Sequence, residues 1–390
     1  MKKYLIIPAS FVIMLCLGSV YAWSIIASEL IETYHYSAAQ TQVIFGTLIA
    51  VFSTSMVFVP RLAGVLSARI LLYISAFLFC SGYILAGLSG GNFYAMLAGI
   101  GVLAGTATGL GYWVSLTLPV LRFPKRKGLM TGVAAAGFGI GAVALSSLSE
   151  IILSFGKDVS LLFVVIGASY GILIFLFSHF IPHLLINTSA GLSQKPVLLS
   201  SGIFYRLIGG IFLGTFAGLL IIGSLTMIGE QNGIREHTLI MGVSFFALAN
   251  FAGRLFWGFI SDHMDAALSI FLALALQAAA ILLLGTLTLN IFLYLVLILL
   301  AGFGFGANFV LFAKKTAVVF GVEQLGNIYP FVFLGYAIAG IFGPLSGGLL
   351  FDRFGNFANA ATLAALLSLT GGLLFLELFI RTRSRIRNQK

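Results

Sequence analysis

Twelve apolar stretches, each about long enough to cross a lipid bilayer as a helix, follow one another along the sequence. They fall at approximately 4–28, 40–60, 70–88, 93–118, 128–155, 159–181, 203–228, 238–260, 266–288, 291–313, 328–350 and 357–380. Backbone groups in lipid must bond within the protein, so each stretch is predicted to be a helix. Only 8% of the residues are charged, against about 25% in soluble proteins. We therefore predict an all-α membrane protein with about twelve transmembrane helices.

The longest connection between these stretches divides them into two sets of six. It covers 182–202 and contains Pro182, Asn187, Gly191 and Pro196, which is typical of a flexible linker. We predict a six-helix bundle at 1–181, a cytoplasmic linker at 182–202 and a second six-helix bundle at 203–390. No connection is long enough for a soluble domain, and two six-helix halves around a central pathway are typical of transporters.

The basic residues indicate how the chain is oriented. If both termini are cytoplasmic, most of the 21 lysines and arginines fall on the cytoplasmic side, and only Lys157, Arg235 and Arg353 fall outside. The net charge of +10 is thus spread over short loops. It indicates topology, and we predict no nucleic-acid partner.

One basic residue, Arg254, is left inside a predicted span, the eighth, while no acidic residue lies near the middle of any span. An arginine at that depth costs about 2.5–3.5 kcal/mol on insertion scales and usually faces a cavity and a partner. With no protein anion nearby in sequence, we predict that it binds a substrate carboxylate, whose two oxygens match the guanidinium fork. The alternative is that it reaches toward the cytoplasmic end or bonds backbone carbonyls.

Further polar side chains inside the spans are candidates for lining the same site. Asn250 lies one helical turn before Arg254 and is placed to orient it. Tyr21, Tyr112, Asn308 and Tyr336 complete the predicted substrate-binding set. Each tyrosine also fits a packing role, because buried tyrosines commonly pack and find a hydrogen-bond partner.

Glycine-rich motifs occur within the spans rather than after strands. The sequence Gly137-Phe-Gly139-Ile-Gly141 lies inside the fifth stretch, and Gly343-Pro344 lies inside the eleventh. Glycines at such positions allow helices to pack closely or to bend, which favours a gating or structural role over nucleotide binding.

Enzyme chemistry has no support in the sequence. No zinc-ligand spacing, Walker sequence or nucleophile elbow is present, and we predict no metal, no cofactor and no catalytic residue. His179 and His183 are four residues apart, but an exposed pair at the membrane surface is the favoured interpretation.

Several short motifs together resemble the major facilitator superfamily, and within it the oxalate/formate antiporter family. The resemblance covers nearly the whole chain. Its motifs are Gly18-Ser-Val-Tyr-Ala-Trp23, Phe123-Pro-Lys-Arg-Lys-Gly-Leu129, Gly137-Phe-Gly-Ile-Gly141, Ala217-Gly-Leu219, Gly253-Arg254, Ser261-Asp262 and Phe351-Asp-Arg-Phe-Gly355. More remotely, the chain is similar to monocarboxylate transporters.

The resemblance implies alternating access around a central anion site. It places Arg254 at the family's substrate-binding arginine and Tyr21 and Tyr112 at or near its aromatic positions. Asp262 corresponds to the superfamily's loop acid, which braces the cytoplasmic side. It also implies a monomer in a bacterial inner (plasma) membrane.

Two positions depart from the family pattern. Tyr336 stands where the oxalate exchanger has a second cation, a lysine, so one fixed positive charge suits one carboxylate better than two. Gly64 stands where the superfamily usually has an aspartate, which weakens the expected brace in the first half.

We predict a secondary transporter, antiporter or symporter, of small organic anions, above all monocarboxylates such as lactate or formate. The proton is a candidate coupling ion, because a carboxylic acid substrate brings its own proton, and exchange of two anions is equally compatible with the sequence. One alternative is a proton-coupled drug or metabolite effluxer of the same fold, which would more naturally use an acidic residue inside the membrane to bind protons or cations. The other is a membrane sensor that transports nothing.

Overall fold

The computed structural model describes residues 5–154, 158–186 and 201–388, and every regular element in these ranges is a helix. The predicted all-α fold is confirmed. Ten of the described helices are long and apolar enough to cross a membrane, and a bent helix pair at the N-terminus makes an eleventh. Ala38–Met56 is a further helix of 19 residues, whose glutamines, serines and threonines make it more polar. Each predicted apolar stretch therefore contains a long helix or, in the first stretch, a bent pair of helices.

We number the spans from 1 to 12 in chain order. In the first half, span 1 comprises Ile6–Leu17, a 3₁₀ segment Gly18–Ala22 and Trp23–Tyr34, followed by span 2 (Ala38–Met56), span 3 (Ala68–Gly87), span 4 (Phe93–Met96, a π-helix Leu97–Ala104 and Gly105–Arg122), span 5 (Lys127–Ser154) and span 6 (Val159–Ser178). In the second half, they are span 7 (Gly202–Ile222), span 8 (Glu236–Ile260), span 9 (Ala266–Thr286), span 10 (Ile291–Phe320), span 11 (Leu325–Val332 and Leu334–Phe354) and span 12 (Ala358–Asn388). Short helices at Val59–Ala63, Pro124–Arg126 and Leu225–Gln231 connect spans.

Side-chain caps fix where several spans begin. Ser37 and Gln40 form a reciprocal capping box at the start of span 2. Asp265 caps span 9 and Asn290 caps span 10 by accepting hydrogen bonds from first-turn amides. These bonds satisfy backbone donors that the helix itself leaves free.

Span 4 contains an eight-residue π-helix, Leu97–Ala104. In this segment span 4 crosses span 3 closely: a Cβ atom added at Gly99 would lie 2.4 Å from the carbonyl oxygen of Gly82, and the reverse distance is the same. Long π-helices are rare, and short ones often occur at functional sites. Here the π-helix lies on the same span as Tyr112 and Trp113.

Two pairs of spans make the most extensive contacts between the halves. Span 5 packs against span 8, and span 2 packs against span 11. Glycines permit the contact between spans 5 and 8. A Cβ atom added to Gly132 would lie 2.8 Å from the carbonyl oxygen of Arg254, and one added to Gly258 would lie 2.9 Å from the carbonyl oxygen of Gly128. These close contacts lie toward the end of the bundle that carries Lys125, Arg126 and Lys314, which we call the basic end.

The predicted linker is described only at its margins, because residues 187–200 lie outside the described ranges. Its first residues are bonded to the loop between spans 2 and 3. Ala68 donates its amide to the Leu184 carbonyl at 2.9 Å, and Ile186 donates to the Ala63 carbonyl at 3.1 Å. Exposed Gly64 lies in this loop.

Candidate functional site

Arg254 is fully buried in span 8, at the contact between the halves. Its Nε atom donates to the Asn250 amide oxygen at 2.9 Å, and Nη1 donates to the Ala135 carbonyl in span 5 at 2.6 Å. The remaining nitrogen, Nη2, is buried and has no hydrogen-bond partner among the described residues. None of the ion pairs among the described residues includes Arg254. Arg254 thus bonds one backbone carbonyl, in line with the alternative interpretation from the sequence, but its Nη2 donor remains available among the described residues.

Aromatic rings surround this guanidinium. The Arg254 Cζ atom lies 4.2 Å from the centroid of the Phe309 ring, 5.6 Å from Phe138 and 5.9 Å from Tyr21. The faces of such rings carry partial negative charge and attract cations, most strongly where water is excluded. Within the described part of the chain, the charge is therefore compensated by ring faces and neutral oxygens rather than by an acid.

The predicted tyrosines gather at the same place. The hydroxyls of Tyr21 and Tyr336, from opposite halves, are 3.0 Å apart and hydrogen-bonded. The buried Tyr112 hydroxyl has no hydrogen-bond partner in the part of the chain that the structure describes, and its ring packs at 5.3 Å against Phe138 and at 5.5 Å against Phe333. Arg254, Asn250 and the three tyrosines of the predicted set thus share one buried region.

Asn308 makes its contacts elsewhere. Its amide nitrogen donates to the Phe305 carbonyl and, at 3.3 Å, to the side-chain oxygen of Gln277 in span 9. The amide nitrogen of Gln277 in turn donates to the Gly214 carbonyl in span 7 at 2.7 Å. These polar groups hold three helices of the second half together. Sequence reasoning overlooked Gln277, although a single amide inside an apolar stretch was a usable signal.

Asp262 connects the halves at the basic end. Its carboxylate accepts from the Lys314 ammonium at 2.7 Å and from the Leu129 amide, in the first turn of span 5, at 3.2 Å. Lys314 also bonds the Ser261 carbonyl. Span 10 continues to Phe320, so Lys314 lies within a helix and is buried, rather than following the helix as the sequence suggested.

Trp113 supplies another bond between the halves that sequence reasoning did not identify. Its indole nitrogen donates to the carbonyl of Gly326, at the start of span 11, at 2.7 Å. The side chain is buried. No sequence signal distinguished it from Trp23 and Trp257, whose buried indole nitrogens have no partner among the described residues.

The predicted gating residues have different neighbours. An added Cβ atom at Gly137 would lie 2.2 Å from the Phe11 carbonyl oxygen, within the first half, whereas one at Gly139 would face Phe251 of the second half at 3.1 Å. At Gly343 it would meet the Phe216 carbonyl oxygen at 3.0 Å, and Pro344 follows inside span 11. Gly139 therefore lies between the halves, and Gly137 and Gly343 lie within one half each.

Two six-helix halves that meet around a buried polar site define a polytopic membrane transporter. A family model described as Major Facilitator Superfamily matches residues 9–201 and 206–390. The chain belongs to this superfamily, and the resemblance seen in its motifs is confirmed.

Relatives and solved structures agree with this assignment. The oxalate:formate antiporter of Oxalobacter formigenes is 25% identical over 356 residues, which cover 88% of this chain and 84% of the relative. The uncharacterized MFS-type transporter YhjX of Escherichia coli (strain K12) is 25% identical over 349 residues, covering 87% and 86%. The structure of the transporter FucP in the outward conformation has a TM-score of 0.65 at 16% identity, covering 94% of this chain and 97% of FucP. A structure of the Escherichia coli fucose:proton symporter has a TM-score of 0.68 at 15% identity.

Proposed function

We propose that the protein is a secondary transporter of small organic anions, with monocarboxylates such as formate and lactate as its preferred substrates. Arg254 anchors the carboxylate, and Asn250, Tyr21, Tyr112 and Tyr336 line the site. The observation that carries this proposal is the buried guanidinium with one unpartnered donor and no ion pair to a described acid. A visiting carboxylate supplies the missing charge and acceptor.

The preference for one carboxylate follows from the count of fixed charges. Tyr336 is fully buried and bonded to Tyr21, so it contributes a hydroxyl where a second cation would be needed for a dicarboxylate. A second carboxylate buried beside neutral rings would lose its hydration without a compensating charge. The similarity to an oxalate:formate antiporter supports small carboxylates as the class and exchange as the mode.

The proposal also covers the oligomeric state, the membrane, the orientation and the mode of coupling. The protein works as a monomer in a bacterial inner membrane with both termini cytoplasmic, so the basic end faces the cytoplasm. Exchange of two anions needs no titrating protein group at Arg254, and symport with the substrate's own proton is the competing mode. The drug-effluxer alternative has no support at this site, because no described acid pairs with Arg254.

Uptake into proteoliposomes tests the proposal. Labelled formate, lactate and oxalate are offered to vesicles preloaded with unlabelled formate, with the parent protein beside Arg254→Gln and Arg254→Lys. Loss of one partner of a buried charge pair costs about 3–5 kcal/mol, so Arg254→Gln is expected to reduce formate uptake at least about a hundredfold. Lysine keeps the charge but loses the fork, and an intermediate loss is expected.

Arg381→Gln is the matched control, because the Arg381 side chain is 65% exposed near the end of span 12. This variant is expected to leave uptake unchanged. Equal uptake by the parent and Arg254→Gln, or transport of neutral and cationic solutes by both, would refute the anion proposal. Vesicles without internal anion separate the modes: exchange requires the preload, whereas symport responds to an imposed pH gradient.

A further inference from the structure

Among the described aromatic residues, Phe309 is the nearest to the buried Arg254 charge. Its ring centroid lies 4.2 Å from the Arg254 Cζ atom, while Phe138 and Tyr21 stand more than 5 Å away. Both Phe309 and Arg254 are shielded from solvent. Because water does not screen the contact, the attraction between the guanidinium and the ring face is near the upper part of its usual range.

The ring of Phe309 is itself held in place. It packs edge to face against Tyr336 at 5.3 Å and 88°, and against Phe305 at 5.2 Å and 83°. The backbone carbonyl of Phe309 accepts a hydrogen bond from the Tyr329 hydroxyl at 3.3 Å. A ring fixed on several sides presents its face to Arg254 in one orientation, which is what positioning a charged group requires.

We propose that Phe309 is a positioning residue whose ring face takes the place of an acidic partner for Arg254. The Phe309 ring lies over the guanidinium carbon of Arg254, whereas a carboxylate binds to the N–H donors along the edge of the guanidinium, so the ring and a carboxylate bind together rather than compete. An acid at this position would occupy the edge and neutralise the charge that the substrate needs. This inference rests on the proposed function and names a residue that gives the site its affinity for anions.

Graded fluorination of the ring tests the inference, because fluorine withdraws charge from the ring face with little change of shape. Phenylalanine with one, two or three ring fluorines is incorporated at Phe309 in the full-length protein. Phe312 is the matched control: it is also buried, lies one turn further along span 10 and packs edge to face on Phe375 at 5.4 Å. The half-saturating concentrations of formate and of lactate in proteoliposome exchange are measured.

The half-saturating concentration is expected to rise with each fluorine at Phe309, reaching about thirtyfold for the fully weakened ring, and to stay flat at Phe312. Phe309→Leu, which keeps an apolar side chain but no ring face, is expected to give a similar loss. Equal slopes at the two positions, or no slope at Phe309, would show that the ring only packs.

Failure of this inference is distinguishable from failure of the proposed function. If Arg254→Gln abolishes uptake while fluorination of Phe309 has no effect, only the role of Phe309 is overturned. If the parent takes up no carboxylate, the melting temperature of the ligand-free protein decides: a graded fall at Phe309 alone supports the contact, and parallel series at Phe309 and Phe312 overturn it.

Discussion

Replacing Gly132 by alanine tests whether close contact between spans 5 and 8 holds the basic end shut. A Cβ atom at Gly132 would lie 2.8 Å from the Arg254 carbonyl oxygen in the opposite half, whereas ordinary van der Waals contact begins at 3.4 Å. The two helices must therefore separate locally by about 0.6 Å, the difference between these distances. Backbone atoms on both sides leave no flexible side chain to absorb the overlap.

Overlap of this size typically costs about 1–3 kcal/mol. The strain exists only while the halves touch, so it raises the free energy of the closed basic end relative to the open one. Alanine also favours the helix, but it does so in both states and cancels from the difference. The ratio of open to closed protein is expected to rise by about 5- to 150-fold.

Distances between spin labels measure this shift. Lys125 in the first half and His263 in the second are both exposed at the basic end, and cysteines introduced there carry the labels after Cys16 and Cys80 have been replaced. In the parent protein the distance distribution is expected to show the closed arrangement. In Gly132→Ala a second, longer distance is expected to dominate.

Two other glycines serve as controls. Gly137→Ala places a Cβ atom 2.2 Å from the Phe11 carbonyl oxygen inside the first half, so it is expected to lower the melting temperature without lengthening the label distance. Apart from its own stretch of helix, no described atom lies within 4 Å of a Cβ added at Gly209, and Gly209→Ala is expected to change neither quantity. If Gly132→Ala lowers stability as Gly137→Ala does but leaves the distance distribution unchanged, the reasoning is refuted.

Three further predictions follow from named contacts. Trp113→Phe removes one hydrogen bond between the halves, which is worth about 0.5–1.5 kcal/mol. It is expected to raise the ratio of open to closed protein about 2- to 12-fold in the same label experiment. Trp257→Phe, the control, loses no described hydrogen bond and is expected to leave that ratio unchanged. Gly214→Ala places a Cβ atom 2.1 Å from the side-chain oxygen of Asn308, so the melting temperature is expected to fall while the label distance stays constant. Tyr336→Lys adds a second cation beside Arg254 and is expected to shift competition for uptake from formate toward oxalate; an unchanged ratio would contradict the count of charges.

The sequence predicted those features that depend on the chemistry of the bilayer. Long apolar runs can only be helices in lipid, so the architecture followed from the apolar stretches. A lone arginine in such a run has few acceptable environments, and its burial beside Asn250 could be anticipated from a spacing of four residues.

The sequence did not predict contacts that depend on which face of a helix meets which neighbour. In span 10 apolar residues surround the helix on every side, so no periodicity indicated that Phe309 faces Arg254 while Asn308 faces span 9. For the same reason Gly137 and Gly139 belong to one motif but contact different halves. A tryptophan such as Trp113 gives no sign in the sequence that its indole crosses between the halves.

The π-helix in span 4 has a consequence for how its two ends turn relative to each other. A π-helix holds more residues per turn than an α-helix, which has 3.6. Rewinding the segment into an α-helix by one residue would therefore rotate the rest of span 4 by about 100°. Tyr112 and Trp113 follow Leu97–Ala104 on one continuous helix. Winding and unwinding of this segment would rotate the Tyr112 and Trp113 rings about the axis of span 4. A local change at the π-helix would therefore move Tyr112 in the candidate site and the hydrogen bond of Trp113 to Gly326 between the halves.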